Sequence, residues 1–190
     1  ELVATLLSLA EVKVIAGSDD LALGKPTSQS STGSEGVSSR AVDGNLSGYW
    51  PDGSITHTLE ESQPWWQVDL QHVSFIGDIL LANRTDCCSD RLSNFTVSVS
   101  NDGSTWQFYS HPGAAGAITS IPVNRTGRFV KVQLDGTGVL SLAEVLVRAP
   151  SANIAAGKPT SQSSTGWSGV SSRAVDGNRF GDYGQNTTTH

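Results

Sequence analysis

Nine consecutive residues, Asn83-Arg84-Thr85-Asp86-Cys87-Cys88-Ser89-Asp90-Arg91, hold two guanidinium groups, two carboxylates and both cysteines of a 190-residue chain. A guanidinium is a planar fork that bridges neighbouring oxygens, which the point donor of a lysine does less well. A carboxylate between two forks accepts from them and fixes their direction, and the cations favour its ionised form. Asp86 stands between Arg84 and Arg91 in this way and is expected to brace both. Adjacent cysteines close too short a loop to constrain the unfolded chain, so their role is local. Consecutive Cα atoms lie about 3.8 Å apart, below the usual disulfide separation of about 4.4 to 6.8 Å. The pair is either a strained ring forming a rigid apolar knuckle, or two free thiols on opposite faces of a strand. His57 precedes Arg84 by 26 intervening residues. A neutral imidazole both donates and accepts, which suits a hydroxyl group.

Catalysis fits these residues poorly. A glycosidase needs two carboxylates about 5 to 10 Å apart, one with a raised pKa. Asp86 lies between arginines and Asp90 adjoins Arg91, so neither is poised as an acid. No Ser/His/Asp nucleophile arrangement has supporting context, and a zinc site wants separated Cys or His ligands. The net charge of −6 excludes the basic stripe of a nucleic-acid binder. No apolar run approaches the roughly 18 residues of a membrane span, so direct membrane insertion is not expected. The opening "ELVATLLSLA" has an acidic first residue, wrong for the n-region of a signal peptide, and with no initiator Met the chain is expected to be an excerpt of a longer precursor.

The elements that position these residues are short β-rich runs: "WWQVDL", "FIGDILLA", "NFTVSVS", "TWQFYS", "RFVKVQL" and "SLAEVLV". Turn clusters such as "NDGS", "HPGAAG" and "LDGTG" separate them. Asn101-Asp102-Gly103 predicts a hairpin, and Phe95, Val97 and Val99 alternate with polar residues as in a half-buried strand. Trp65 and Trp66 read as core and strand residues, and Trp106 as core. Many short strands with little helix imply an all-β sandwich or jelly roll.

The chain also repeats itself. "GKPTSQSSTGSEGVSSRAVDGN" at 24–45 recurs as "GKPTSQSSTGWSGVSSRAVDGN" at 157–178, 133 residues later. The same offset carries "SLAEVKV" (8–14) onto "SLAEVLV" (141–147) and His57 onto His190. One register thus predicts the tail of a preceding repeat at 1–17, a complete unit at 18–150, and the truncated head of a following repeat at 151–190. Neighbouring repeats are the expected partners within the full-length protein. Only the central unit carries the cysteine block, so neither flank is expected to bind ligand alone.

His-x26-Arg-x-Asp-x4-Arg with adjacent cysteines in the last gap resembles the F-type lectins, or fucolectins. "AVDGN", "PWWQVDL" and "LAEV" extend the resemblance over the central unit. It implies an eight-stranded jelly-roll β-sandwich of the discoidin-like galactose-binding type, with a sugar site among loops at one end. The implied ligand is terminal α-L-fucose on glycans, and the implied role is a non-catalytic, multivalent adhesion or targeting module. L-Fucose is neutral, with vicinal hydroxyls and an apolar C6 methyl. Arg84, Arg91 and His57 suit its 3-OH, 4-OH and ring oxygen. Within this motif Cys87–Cys88 is expected as a disulfide pressing on the methyl group or ring edge, implying a secreted or cell-surface setting. Trp50 falls where the family often places an aromatic near C6; simple core packing is the alternative. A discoidin-like module binding phospholipid or protein, or an appended module of a secreted glycosidase, are the alternatives for the whole. Asn83 also begins an Asn-x-Thr glycosylation sequon beside the site.

"RAVDGNLSGYWPDGSITH" (40–57) resembles the family's calcium loop. The resemblance assigns a structural Ca²⁺ to the backbone oxygens of Arg40, Asn45 and Ala143, the carboxylates of Asp43 and Glu144, and Ser54. Hard oxygen donors suit calcium rather than zinc or copper. A metal-free Gly/Asn turn is the alternative.

Overall fold

The computed structural model describes residues 6–12, 20–150, 155–178, 181–182 and 187–189. The chain divides into two compact units, Asp19–Pro150 and the combination of Glu1–Ser18 with Ser151–His190. The expected boundary between 17 and 18 and the histidine at 190 lie outside the described residues.

The larger unit is all-β. Its strands are β1 (Thr27–Gln29), β2 (Glu61–Ser62), β3 (Trp65–Ala82), β4 (Ser93–Ser100), β5 (Trp106–Ala114), β6 (Ile118–Leu134), β7 (Thr137–Gly138) and β8 (Glu144–Arg148). They run β1-β3-β6-β4-β5 with β8 also on β3, while β2 pairs with β7; every pairing is antiparallel. "WWQVDL" and "FIGDILLA" are two halves of one strand. The first half of β3 pairs with β1 and the end of β6, and the second half with β8 and the start of β6. Register breaks between Asp69 and Ser74, and between Ile76 and Asp78, separate the halves. Such bulges bend a strand and increase its twist. β3 and β6 thereby contribute to both layers of a jelly-roll β-sandwich, as the resemblance implies.

Both halves of β3 feed one core. Trp66, Val68, Leu70, Ile79 and Leu81 join Phe95, Val97, Val99, Val130, Val132, Leu140, Leu142, Val145 and Val147 in a single cluster. Each such burial stabilises the fold by roughly 1.5–3 kcal/mol before the opposing entropy is counted. The predicted hairpin forms at 101–103. Asp102 accepts from the backbone of Ser104 and Thr105, both at 2.8 Å, and Gly103 adopts φ +75°. Those backbone N–H groups hold the Asp102 carboxyl down at about 2.

Two expectations change. The predicted alternation holds in the first half of β4, where Asn94 is exposed and Thr96 half-buried, but in its second half Ser98 and Ser100 are buried as well. Trp106 is not core: it and Trp65 are only half-buried. The Lys131 ammonium lies 4.4 Å from the Trp106 ring centroid and 5.8 Å from that of Trp65, a surface cation–π arrangement. Among the described residues no helix is long and apolar enough to cross a membrane.

Candidate functional site

β3 ends at Ala82, opposite Glu144 at the start of β8. The chain leaves β3 directly into the cysteine block, which reaches β4 through a 3-10 turn at Ser89–Arg91. Beneath this end lies a small second core of Ile55, Ala82 and Ala143, against which Trp50 packs. The Trp50–Asp52 turn and His57 belong to the connection between β1 and β2.

Arg84 and Asp86 form a two-pronged ion pair, Nε to Oδ1 at 2.8 Å and Nη2 to Oδ2 at 3.0 Å. The Arg84 side chain is 11% exposed and that of Asp86 17%. Arg84 also lies over the Trp50 ring, its Cζ 4.9 Å from the centroid. Hydrogen bonding from Arg84 holds the Asp86 carboxyl below the usual carboxylate range. Asp86 does not brace both arginines as the spacing suggested. Arg91 instead donates from Nη1 to His57 Nε2 at 3.2 Å. Arg84 takes both Asp86 oxygens in one fork, while Arg91, leaving the turn after Cys88, meets His57 instead. Cys87 and Cys88 are joined in a disulfide, and Cys88 takes φ +56° as the chain turns into Ser89–Arg91.

The tautomer of His57 follows from its partners. Arg91 can only donate, so Nε2 accepts, and Nδ1–H donates to the Thr58 carbonyl at 2.7 Å. Burial, with the nearby charges of Arg91 and Arg84, lowers the His57 pKa below 6.5, opposed by the bond to Thr58. The ring is therefore neutral at pH 7. A depressed histidine contributes stability that is complete above pH 6.5 and is lost as pH falls through the lowered value. The imidazole should accordingly titrate below pH 6.5 in an NMR pH series. Ligand affinity at this site is expected to stay flat from pH 8 to 6.5 and to fall below that.

Trp50 stands edge-on to His57 at 5.6 Å between ring centroids. The Arg40 Cζ lies 5.8 Å from the centroid of the same ring. Thus His57, Arg84, Asp86, Arg91, Trp50 and the cysteine pair share one end of the sandwich. The geometry presents a forked donor, a second guanidinium, an imidazole and apolar surface, and contains no poised acid–nucleophile pair.

Several supporting residues carried no motif. Gly36 receives His57 N through its carbonyl at 2.9 Å, and a Cβ there would lie 2.6 Å from His57 N. Gly48 accepts from the backbone of Thr85 at 2.8 Å, and its Cβ would meet Asn83 O at 2.7 Å. Isolated glycines in a loop gave no cue. Asn83 was legible only as a sequon, yet it is 2% exposed. Its Nδ2 donates to Ser89 O at 2.9 Å and its Oδ1 accepts from Arg84 N at 2.8 Å. It clasps the loop and has no outward path for a glycan. Gly36→Ala is expected to cost about 1–3 kcal/mol by overpacking against backbone and to weaken ligand binding by displacing His57. Thermal melts paired with a binding titration read both effects.

The residues assigned to calcium gather beside this site. Asp43 Oδ1 accepts from Asn45 N at 2.8 Å, and Glu144 Oε1 accepts from Gly44 N at 3.1 Å. Ser54 is fully buried and donates to Ser47 O at 2.5 Å. Arg40 Nη1 donates to Ile55 O at 3.2 Å, leaving its backbone oxygen as the proposed donor. Ala143 is buried, with its N–H on Ala82 O at 2.8 Å. Glu144 is 1% exposed and its Oε2 has no hydrogen-bond partner. Burial, with Asp43 and Asp20 nearby, pushes its carboxyl up to about 7. An orphaned buried carboxylate oxygen beside a second carboxylate fits a hard cation. Among the described residues no three His, Cys, Asp or Glu side chains are placed to hold a metal ion between them, so a cation here would rely on carbonyl oxygens beside the carboxylates.

A family model described as the NedA-like, galactose-binding domain matches residues 40–132. Fucolectin-1 of Anguilla japonica is 35% identical over 123 residues, covering 57% of this chain and 66% of the relative. A fucose binding module of Streptococcus pneumoniae superposes with a TM-score of 0.67 at 38% identity, over 70% of this chain and 96% of that one. An F-lectin (fucolectin) from Morone saxatilis (striped bass) serum matches at 34% identity and a TM-score of 0.64, covering 86% of this chain and 61% of that one. The chain belongs to the F-type lectin family. Its matches span just under two thirds of the eel relatives' own length. The F-type lectin unit holds its loop-end constellation through Gly36, Gly48 and the Asn83 clasp.

Proposed function

We propose that the central unit binds terminal α-L-fucose on glycans through His57, Arg84 and Arg91, with Asp86 orienting Arg84. The observation that carries this reading is the joined set of Arg91 on His57 and Arg84 on both Asp86 and Trp50. It offers directional donors to vicinal hydroxyls, while the Cys87–Cys88 knuckle and Trp50 offer apolar surface to the C6 methyl. In the free site Arg91 satisfies His57 Nε2; a sugar hydroxyl takes over that acceptor and frees the guanidinium to meet a neighbouring oxygen. The names of the eel fucolectins and the pneumococcal fucose binding module support the same ligand.

A calcium ion held by Asp43, Glu144, Ser54 and the backbone oxygens of Arg40, Asn45 and Ala143 would supply structural charge. It would tie residues 40–54 to 143–144 and so set the loop carrying Trp50. An extracytoplasmic location is supported by the disulfide. The 133-residue repeat supports a tandem array, in which linked weak sites gain roughly 10²–10⁴ in avidity where geometry allows. A glycan array read with calcium and with EDTA tests the function. Fucosylated glycans should dominate with calcium and fade without it. Phospholipid or protein binding with no fucose preference would overturn the reading.

A further inference from the structure

His57 is held at its backbone as well as at its ring. Its N–H donates to Gly36 O at 2.9 Å, and its carbonyl accepts from Gly33 N at 2.8 Å. Between those glycines Ser34 and Glu35 are exposed and take φ +47° and +59°. Two successive non-glycine residues in the left-handed region are costly, and they persist only where the surrounding structure holds them. A Cβ on Gly33 would lie 2.9 Å from His57 Nδ1, and one on Gly36 would lie 2.6 Å from His57 Cβ. This turn therefore leans directly on the histidine.

Gln29, the last residue of β1 and opposite Trp66 of β3, gathers these pieces. Its Nε2 faces four oxygens: Ser31 O at 2.7 Å, Gly36 O at 3.0 Å, Thr32 Oγ1 at 3.1 Å and His57 O at 3.2 Å. Three of them are carbonyls, which only accept, so the amide nitrogen and not the amide oxygen must face them. At the other end of the amide, Gln29 Oε1 is buried with no hydrogen-bond partner. Buried unpaired acceptors are uncommon in native proteins and call for a reason. Here the reason is the clasp that Nε2 makes. The smaller unit repeats it: Gln162 Nε2 donates to Gly169 O at 3.0 Å and to Thr165 Oγ1 at 2.9 Å. Trp167 and Ser168 there take φ +44° and +60°. The tip residues differ between the two turns, Ser-Glu against Trp-Ser, while the glutamine and the backbone shape are the same. The shape of the turn goes with the clasp rather than with the residues at its tip.

We propose that Gln29 is a positioning residue for sugar binding. Through Nε2 it fixes the 31–36 turn and the backbone of His57, and thereby the place of the imidazole beside Arg91. Gln29 acts through His57 and makes no sugar contact of its own. Because β1 ties Gln29 to the sheet, the clasp anchors a loop-borne histidine to a rigid element, which is what a preorganised site requires. The effect on affinity rests on the fucose reading above; the effect on His57 does not.

The test compares Gln29→Met and Gln29→Glu with wild type in the full 190-residue chain. Both variants keep the length of the side chain; methionine has no donor, and at pH 7.5 a glutamate carboxylate only accepts. L-Fucose affinity, read by calorimetry, is expected to fall about tenfold or more in both. The His57 imidazole, followed by NMR, should titrate closer to 6.5, because a released ring is less buried and lies farther from Arg91 and Arg84. A role in packing alone would leave Gln29→Glu, which has the shape of glutamine, close to wild type in both readouts. Gln162→Met opens the equivalent clasp in the smaller unit and should leave fucose affinity unchanged. Wild-type affinity in Gln29→Met or Gln29→Glu overturns the proposal, as does a His57 titration unmoved in both, or an equal loss in Gln162→Met. If wild type itself does not bind L-fucose, the reading of the site fails, and the His57 titration alone decides the role of Gln29.

Discussion

Arg84→Ala is expected to weaken fucose binding by about a hundredfold or more while shifting the melting temperature by only a few degrees. The magnitude follows from two directional bonds from a charged donor, each worth about 1.5–3 kcal/mol, with the face that Arg84 shares with Trp50 lost as well. The loss is larger than truncation because Asp86 then turns an unpaired carboxylate towards the sugar. Arg84→Lys should not restore binding, since an ammonium cannot hold both Asp86 oxygens in one plane and still present a second fork edge. Asp86→Asn should do less harm than Arg84→Ala, because Asp86 orients Arg84. Calorimetric titrations of the three variants order these roles; Arg84→Ala with unchanged affinity would remove Arg84 from the site.

Calcium is expected to govern the stability of the same end of the domain. Glu144 is buried and its carboxyl is pushed up to about 7, against about 4.5 for an ordinary glutamate. The folded state therefore holds this proton more tightly than the unfolded state. Without metal, the contribution is favourable below pH 4.5 and is lost as pH rises through about 7. A divalent cation takes the proton's place, so calcium should stabilise most above pH 7 and little at pH 5. At a hundred times its dissociation constant a ligand adds about 2.7 kcal/mol, roughly a 10 °C rise in melting temperature for a domain of this size. EDTA should reverse that rise, and Glu144→Gln should abolish the calcium response while melting at or above metal-free wild type at pH 8. Superimposable melts with calcium and EDTA at pH 8 would exclude a structural ion here.

Much of this was legible in the chain, for physical reasons. The alternation of Phe95, Val97 and Val99 is a local pattern, and the Asn-Asp-Gly turn is local chemistry. The joint spacing of His57, Arg84, Asp86 and Arg91 carried the family and the site. Spacing could not give the partition of partners. Whether Asp86 holds one arginine or both depends on the left-handed turn at Cys88 and on where Arg91 emerges. The continuity of β3 was hidden because a bulged strand reads as two short ones with a polar break, Gln71-His72. Gly36, Gly48 and Asn83 matter through contacts with residues far away in sequence, and Asn83 was disguised as a surface sequon.

The most direct test is a calorimetric titration of L-fucose into the calcium-loaded chain. The account predicts saturable binding at one site per chain, because the arginines and cysteine pair of the 83–91 block occur once, and the smaller unit repeats only the histidine position. Absence of saturable binding, or two equivalent sites per chain, would contradict it.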